Sequence, residues 1–166
     1  MNLILERATS EDGAEILALQ KLAYQSEAAI YNDYTIPPLT QTLEEIVVDL
    51  KRQTFLKAIE EGRIVGSVRA YMQEGTCFVG RLIVHPSFQN RGIGTRLLGE
   101  IERTFDQAER FELFTGHLSE RNLYLYQKLG YRLYRNRKVT DALTIVYLEK
   151  FARAQPDNHT LGGTKE

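Results

Sequence analysis

The segment Gln89-Asn90-Arg91-Gly92-Ile93-Gly94-Thr95 has the residue types and spacing to hold an anion. Gly92 and Gly94 lack a Cβ, so the chain there can turn tightly and bring consecutive backbone N–H groups against a ligand. A helix starting at this point begins with unpaired N–H donors and the positive end of its dipole, a combination that suits a pyrophosphate. Arg91 could add a charge-assisted contact. Two glycines can equally serve only to turn a strand into a helix, so the surrounding chain has to decide. A dinucleotide fingerprint needs a third glycine where Leu97 stands, and a Walker loop needs Gly-Lys-Ser/Thr where the chain reads Gly94-Thr95-Arg96. A nucleotide-binding α/β domain is therefore the poorer reading.

The glycine segment must be positioned by its neighbours. Before it runs CFVGRLIVH, a nearly continuous apolar stretch ending at Pro86, expected to be a central strand buried on both faces. After it, Ile93, Leu97, Leu98, Ile101 and Phe105 predict a helix to about Ala108, followed by the short strand FELFT. Strand, helix and strand in that order form a βαβ unit, which demands parallel pairing and a right-handed crossover. Upstream, Thr9 with Asp12 resembles a capping box, and Ile16, Leu19 and Ala23 predict a helix from about Ser10 to Ser26. AAIYNDYTIPPL then reads as a loop, with Pro37-Pro38 forcing an extended path. Thr42 and Glu45 repeat the capping pattern ahead of a helix whose apolar face is Leu43, Ile46, Val47 and Leu50. From Thr54 two strands flank a tight turn at Glu61-Gly62. Downstream, Ser119 is placed to cap the helix SERNLYLYQKLG, which ends on Gly130-Tyr131; YRLYRNRKV and ALTIVYLEK then form a second hairpin around Thr140-Asp141.

A length of 166 residues fits one compact domain, here residues 1–150, with 151–166 expected to be a flexible tail. Folding a chain of this size removes roughly 70% of its surface from water, enough for a core without disulfides or a structural metal. Cys77 is the sole cysteine, and no Cys/His cluster has zinc spacing, so no metal is expected. A net charge of -1 gives no overall pull toward nucleic acid. With neither a secretory leader nor a run of about 20 apolar residues, the expectation is a cytoplasmic protein with no membrane association.

Two stretches in the right order resemble a known family. LIVHPSFQNRGIGTRLLGEIE is similar to the coenzyme A-binding motif of the GNAT family of N-acetyltransferases, a Gln/Arg-x-x-Gly-x-Gly/Ala signature after a strand ending in Val-x-Pro. SERNLYLYQKLGYRLY is similar to the family's later motif, a helix with Leu-Tyr followed by Lys-Leu-Gly-Tyr/Phe. With the order of elements, the resemblance covers about Leu3 to Lys150. It implies an α/β protein of the GNAT acyl-CoA N-acyltransferase fold: a mixed sheet, antiparallel in its N-terminal half, with a central parallel strand pair and flanking helices. It also implies an acetyltransferase that moves the acetyl group of acetyl-CoA directly to a primary amine of a small molecule or peptide. The alternative is a non-catalytic acyl-CoA-binding regulatory module. Dimers are common in the family, though the sequence marks no interface.

The resemblance assigns Gln89, Asn90, Arg91, Gly92, Ile93, Gly94 and Thr95 to the pyrophosphate, and Leu82, Ile83 and Val84 to backbone hydrogen bonds with the pantetheine arm. Leu82 and Val84 read equally as core. Tyr126 matches the family tyrosine aimed at the thioester sulfur, where a phenol can protonate the departing thiolate. The family often has Asn where this chain has Ser119, so Ser119 or Asn122 is expected to supply that cofactor contact; Ser119 is equally explained as a cap. Glu27 is the leading candidate for the base or an acceptor contact, against the reading of a solvated helix-end carboxylate. Tyr24, Tyr31, Asp33 and Tyr34 could form an aromatic and acidic wall for a cationic amine, or close the core under a loop. His117 could titrate near neutral pH but is more often a structural group. Cys77 lies upstream of the site and has no evident His partner, so no covalent acetyl-enzyme is expected.

Overall fold

The computed structural model describes residues 2–152; most of the expected C-terminal tail lies outside the described residues. A seven-stranded sheet runs in the order β1-β2-β3-β4-β5-β7-β6. Its members are β1 (Ile4–Arg7), β2 (Thr54–Glu60), β3 (Arg63–Gln73), β4 (Thr76–Val84), β5 (Arg110–Gly116), β6 (Arg132–Lys138) and β7 (Thr144–Phe151). All neighbours are antiparallel except β4 and β5. Helices α1 (Gly13–Ala23), α2 (Gln25–Tyr31), α3 (Pro37–Thr40) and α4 (Leu43–Arg52) precede β2; α5 (Ile93–Thr104) links β4 to β5, and α6 (Glu120–Lys128) follows β5.

The sheet has an apolar cluster on each face. On one, Ile93, Leu97, Leu98 and Ile101 of α5 meet Val65, Val68, Cys77 and Val79. On the other, Ile16, Leu17 and Leu19 of α1 and Ile46 and Leu50 of α4 meet Phe55, Ile64 and Ile83. These are the residues whose helical and alternating spacing marks core in the sequence. The edge strand β6 is exposed throughout and carries Arg132, Arg135, Arg137 and Lys138. Such a charged edge discourages pairing with other strands.

Several expectations need correction. Helical structure does not stop at Ser26: it breaks only at Tyr24 and resumes as α2 to Tyr31, closed by Asn32 at φ 49°. Ala28, Ala29 and Ile30 continue a helix readily, and Tyr31 is anchored across the molecule as described below. Pro37-Pro38 opens the one-turn helix α3 rather than extending the chain, because a proline in the first turn forfeits no intrahelical hydrogen bond. The Gln89-rich loop does lead into a helix, but α5 ends at Thr104, not Ala108. Strand β1 is too short to announce itself by alternation, and its pairing with β2 creates it. β4 is central, yet only Cys77, Val79 and Ile83 are fully buried, because the strand loses its β5 neighbour halfway along. The capping box at Thr42 is present in both directions: Glu45 N donates to Thr42 Oγ1 at 3.2 Å and Thr42 N to Glu45 Oε1 at 2.9 Å.

Candidate functional site

β4 and β5 pair only where Thr76, Cys77 and Phe78 face Arg110, Phe111 and Glu112. Beyond that point β4 carries a bulge: Ser67 faces Ile83 but Arg69 faces Gly80, so β4 spends one more residue than β3. Arg81, the residue that absorbs it, has φ 44°. A bulge bends its strand, and here β4 diverges from β5, which stays paired along its length with β7. Leu82, Ile83 and Val84 therefore line a gap between parallel strands with no ladder partner on the β5 side. The gap opens at the C-terminal ends of both strands, where α5 and α6 begin.

On the α5 side, Phe88 is sandwiched between Arg63, 5.2 Å from the ring centroid, and Arg91 at 4.9 Å. The loop turns through left-handed conformations at Asn90 (φ 63°) and Gly92 (φ 80°). Arg121 of α6 donates to Gln89 Oε1 and, at 3.0 Å, to Asn90 Oδ1, so these two side chains are held by α6. Among the described residues, the amides of Ile93, Gly94 and Thr95 donate to nothing, and Gly92 offers no side chain to cap them. A Cβ on Gly94 would touch Leu125, Leu82 and Val84 at 3.4–3.9 Å, so the bare backbone here sits at the mouth of the gap. Free amides at a helix start with space before them fit an anionic phosphate.

The other wall is a stripe along α1 and α2. Gln20, Tyr24, Glu27 and Tyr31 recur at helical spacing; Gln20 donates to Gln41 Oε1 and Pro38 O, each at 2.9 Å, while Glu27 and Tyr31 reach the start of α6. The Tyr31 hydroxyl accepts from Leu118 N at 3.0 Å and shares a 2.7 Å hydrogen bond with Ser119 Oγ. Its ring occupies the space beside Gly116, where an added Cβ would lie 2.0 Å from the hydroxyl. Ser119 Oγ donates to Glu27 Oε2 at 2.5 Å, and Asn122 Nδ2 reaches Glu27 Oε1 at 3.3 Å and Thr115 Oγ1 at 3.2 Å. Ser119 thus stands at the N-cap position without capping: its hydroxyl is taken by Glu27 and Tyr31.

Tyr126 lies on the same face of α6 as Ser119 and Asn122. The end of α6 fixes it: Tyr131 N donates to Tyr126 O at 3.0 Å and Gly130 N to Gln127 O at 3.1 Å, a Schellman ending with Gly130 at φ 98°. The Tyr126 and Tyr131 rings pack with centroids 6.3 Å apart. Burial, followed by the charges of Tyr24 and Glu27, pushes the Tyr126 phenol above its ordinary range, so at neutral pH it is a proton donor. Burial likewise pushes Tyr24 up to about 12, with Glu27 adding to the rise and Arg81 opposing it. Neither phenol hydroxyl makes a hydrogen bond among the described residues.

The structure thus brings together Tyr24, Glu27, Tyr31, Ser119, Asn122 and Tyr126. Asp33 and Tyr34 are not part of this group. Asp33 accepts from Thr35 N at 2.9 Å and Thr35 Oγ1 at 2.6 Å in a local turn, and the hydrogen bonds from Thr35 lower its pKa. Tyr34 is exposed. His117 Nδ1 accepts from Thr144 N at 3.0 Å, and His117 N donates to Thr144 O at 2.8 Å, which joins β5 to the start of β7. Cys77 is fully buried in the core, and burial, with Glu102 adding, pushes its thiol up to about 12, so it is no nucleophile. Sequence reasoning misses Gln20, Arg81, Thr115 and Arg121. The spacing of Gln20 with Tyr24, Glu27 and Tyr31 is a usable signal, a polar stripe on an otherwise apolar helix face.

A mixed sheet splayed at its parallel pair, with an anion-suited helix start and a buried tyrosine beside the opening, defines the acetyltransferase fold class. The chain belongs to the acetyltransferase (GNAT) family, whose model matches residues 4–131. Solved structures of this fold include the PaiA N-acetyltransferase from Thermoplasma acidophilum in complex with coenzyme A. It superposes with a TM-score of 0.77 at 16% identity, covering 91% of this chain and 99% of that one. The yncA protein from Salmonella typhimurium, a putative acetyltransferase with its cofactor acetyl-CoA, gives 0.70 at 18% identity, covering 95% and 99%. The ribosomal-protein-S18-alanine N-acetyltransferase from Escherichia coli gives 0.77 at 12%, covering 94% and 97%. In sequence, the UPF0157 protein YqkA of Bacillus subtilis is 29% identical over 118 residues, 71% of this chain but 34% of that protein, so the matched part spans about a third of the relative's length.

Proposed function

We propose that residues 1–150 form one acetyl-CoA-dependent N-acetyltransferase unit that transfers the acetyl group directly to a primary amine. The observation that carries this reading is the β4–β5 gap, flanked on one side by the free amides of Ile93, Gly94 and Thr95 and on the other by Tyr126, Tyr24 and Glu27. Family membership and the coenzyme A and acetyl-CoA complexes of the structural neighbours support it. The thioester supplies the acyl group and a thiolate leaving group. In this chain, the α5 amides and Arg91 hold phosphate, and the open edge of Leu82–Val84 offers hydrogen bonds to an extended arm. Tyr126 donates a proton to the sulfur as the carbon–sulfur bond breaks. Glu27 faces the amine, attracts its cationic form and takes the proton it loses as the new carbon–nitrogen bond forms. Ser119 and Asn122 then serve the reaction by holding Glu27, not by contacting the cofactor.

Thermal unfolding with acetyl-CoA, coenzyme A, NADH or ATP near saturation tests the cofactor. A ligand at 100 times its Kd adds about 2.7 kcal/mol to stability and should raise the midpoint by about 5–10 °C. Only the coenzyme A ligands should do so. Gly94→Ala should leave the free protein's midpoint unchanged or higher, since its Cβ meets only ordinary contacts and helix propensity improves, yet shrink the shift. A shift with NADH or ATP alone would overturn the reading.

Glu27→Gln should lower kcat/KM for an amine by about 10²-fold or more at a cost in stability of only about 1 kcal/mol, since the amide oxygen still accepts from Ser119 and only the 3.3 Å bond from Asn122 Nδ2 is lost. Undiminished turnover would remove Glu27 from the mechanism.

A further inference from the structure

Among the described residues, five Lys or Arg side chains are partly buried: Lys57, Arg69, Arg81, Arg110 and Lys150. Four of them pair with carboxylates: Lys57 with Asp12, Arg69 with Asp49, Arg110 with Glu112 and Glu149, and Lys150 with Glu102. Arg81 has no carboxylate partner among the described residues. Its one hydrogen bond goes to the neutral Gln41 Oε1, which also accepts from Gln20 Nε2 at 2.9 Å. The nearby anions are committed elsewhere. Asp49 Oδ2 takes Arg69 at 2.7 Å and Gln41 Nε2 at 2.6 Å, while Glu45 caps α4 in solvent. Removing a guanidinium from water without an opposite charge is costly, and here a second guanidinium, Arg69, adds repulsion.

Its position is as informative as its charge. Arg81 is the bulged residue of β4 and holds a left-handed backbone, φ 44°, that a non-glycine residue adopts only under strain. The bulge directs Arg81 to the α1 face of the sheet, beneath Gln41 and beside Tyr24, one helical turn from Glu27. Polar groups kept in strained, uncompensated positions cluster where a ligand completes them.

We infer that Arg81 is the carboxylate-binding residue of the acceptor site, and that the acceptor is an amino acid or similar small molecule carrying both an amine and a carboxylate. This rests on the acetyltransferase reading and specifies its substrate class. Four guanidinium N–H groups remain to receive the carboxylate, while the amine faces Glu27 and Tyr126. Gln20 and Gln41 act as positioning residues that hold the guanidinium in place.

The experiment titrates free amino acids, including β-alanine and γ-aminobutyrate, and their carboxamides into the protein saturated with coenzyme A. Binding is read by calorimetry, and the same panel is run with acetyl-CoA and thiol detection. At least one free acid should bind about tenfold or more tightly than its amide, as expected for a charge-assisted contact. Arg81→Gln should abolish that preference by weakening the acid alone, leaving the amide's affinity and coenzyme A binding unchanged. Arg81→Lys should recover only part of it, because an ammonium lacks the planar fork. The inference is overturned if no free acid binds, if acids and amides bind alike, or if Arg81→Gln weakens both equally. Coenzyme A binding separates the two readings: its loss in the native protein sinks the acetyltransferase assignment, whereas its presence without acid preference sinks only the carboxylate site.

Discussion

Replacing Tyr126 by Phe should lower kcat by about 10²–10⁴-fold with little change in stability or in coenzyme A affinity. The ring stays packed against Tyr131 and the Schellman ending of α6 uses only backbone, so the fold loses nothing that the hydroxyl supplied. Among the described residues the hydroxyl makes no hydrogen bond that the variant would forfeit. The phenol's pKa is raised by burial, so in the native enzyme it stays protonated past the ordinary tyrosine range. The deficit should accordingly be constant between about pH 6 and pH 9, whereas a tyrosine acting as base would give one that grows with pH. Steady-state kinetics across that interval, paired with thermal unfolding of both proteins, decide it. Full activity in the variant would mean that water protonates the departing thiolate.

The second large effect is structural. Gly116→Ala places a methyl group 2.0 Å from the Tyr31 hydroxyl and 2.4 Å from its Cζ, closer than any real contact. The ring must leave, and with it go the hydrogen bonds to Ser119 Oγ and Leu118 N. Overpacking of this kind costs about 1–3 kcal/mol, and at this chain length the midpoint should fall by about 3–10 °C. Turnover should fall further than stability, because Ser119 is the shared partner of Tyr31 and Glu27, and a displacement near 1 Å at a reacting group can cost about 10²-fold. A double-mutant cycle isolates the cause: on a Tyr31→Ala background Gly116→Ala should cost almost nothing. Equal losses on both backgrounds would place the clash elsewhere.

Much of the fold and part of the site are legible in the order of residues alone. The capping box at Thr42, the apolar spacing of α5 and the glycine ending of α6 are local devices, each encoded within a few residues and each found where expected. The glycine-rich segment and the Leu-Tyr helix carry the family resemblance because backbone shape around a phosphate demands particular residues at particular spacings. Readings fail where local preference meets distant partners. Tyr31 reads as loop because its helix is held by Ser119 and Leu118, nearly ninety positions away along the chain. Ser119 reads as a cap because a serine before a helix ordinarily caps, and nothing nearby reveals that Glu27 takes its hydroxyl.

The amino-acid sequence by itself determined the family resemblance, the second hairpin, and the helices and strands whose spacing and turns are local, α4, α5, α6 and β2 to β5 among them, since these depend on periodicity, turn chemistry and backbone freedom. Only the tertiary structure decided which side chains share the gap between β4 and β5. Where Arg81 points follows from a bulge defined by pairing with β3, and whether it is paired follows from which carboxylates Arg69 and the α4 cap have already taken. Such facts belong to strand register and to competition among side chains far apart in sequence, and no local pattern of residues carries them.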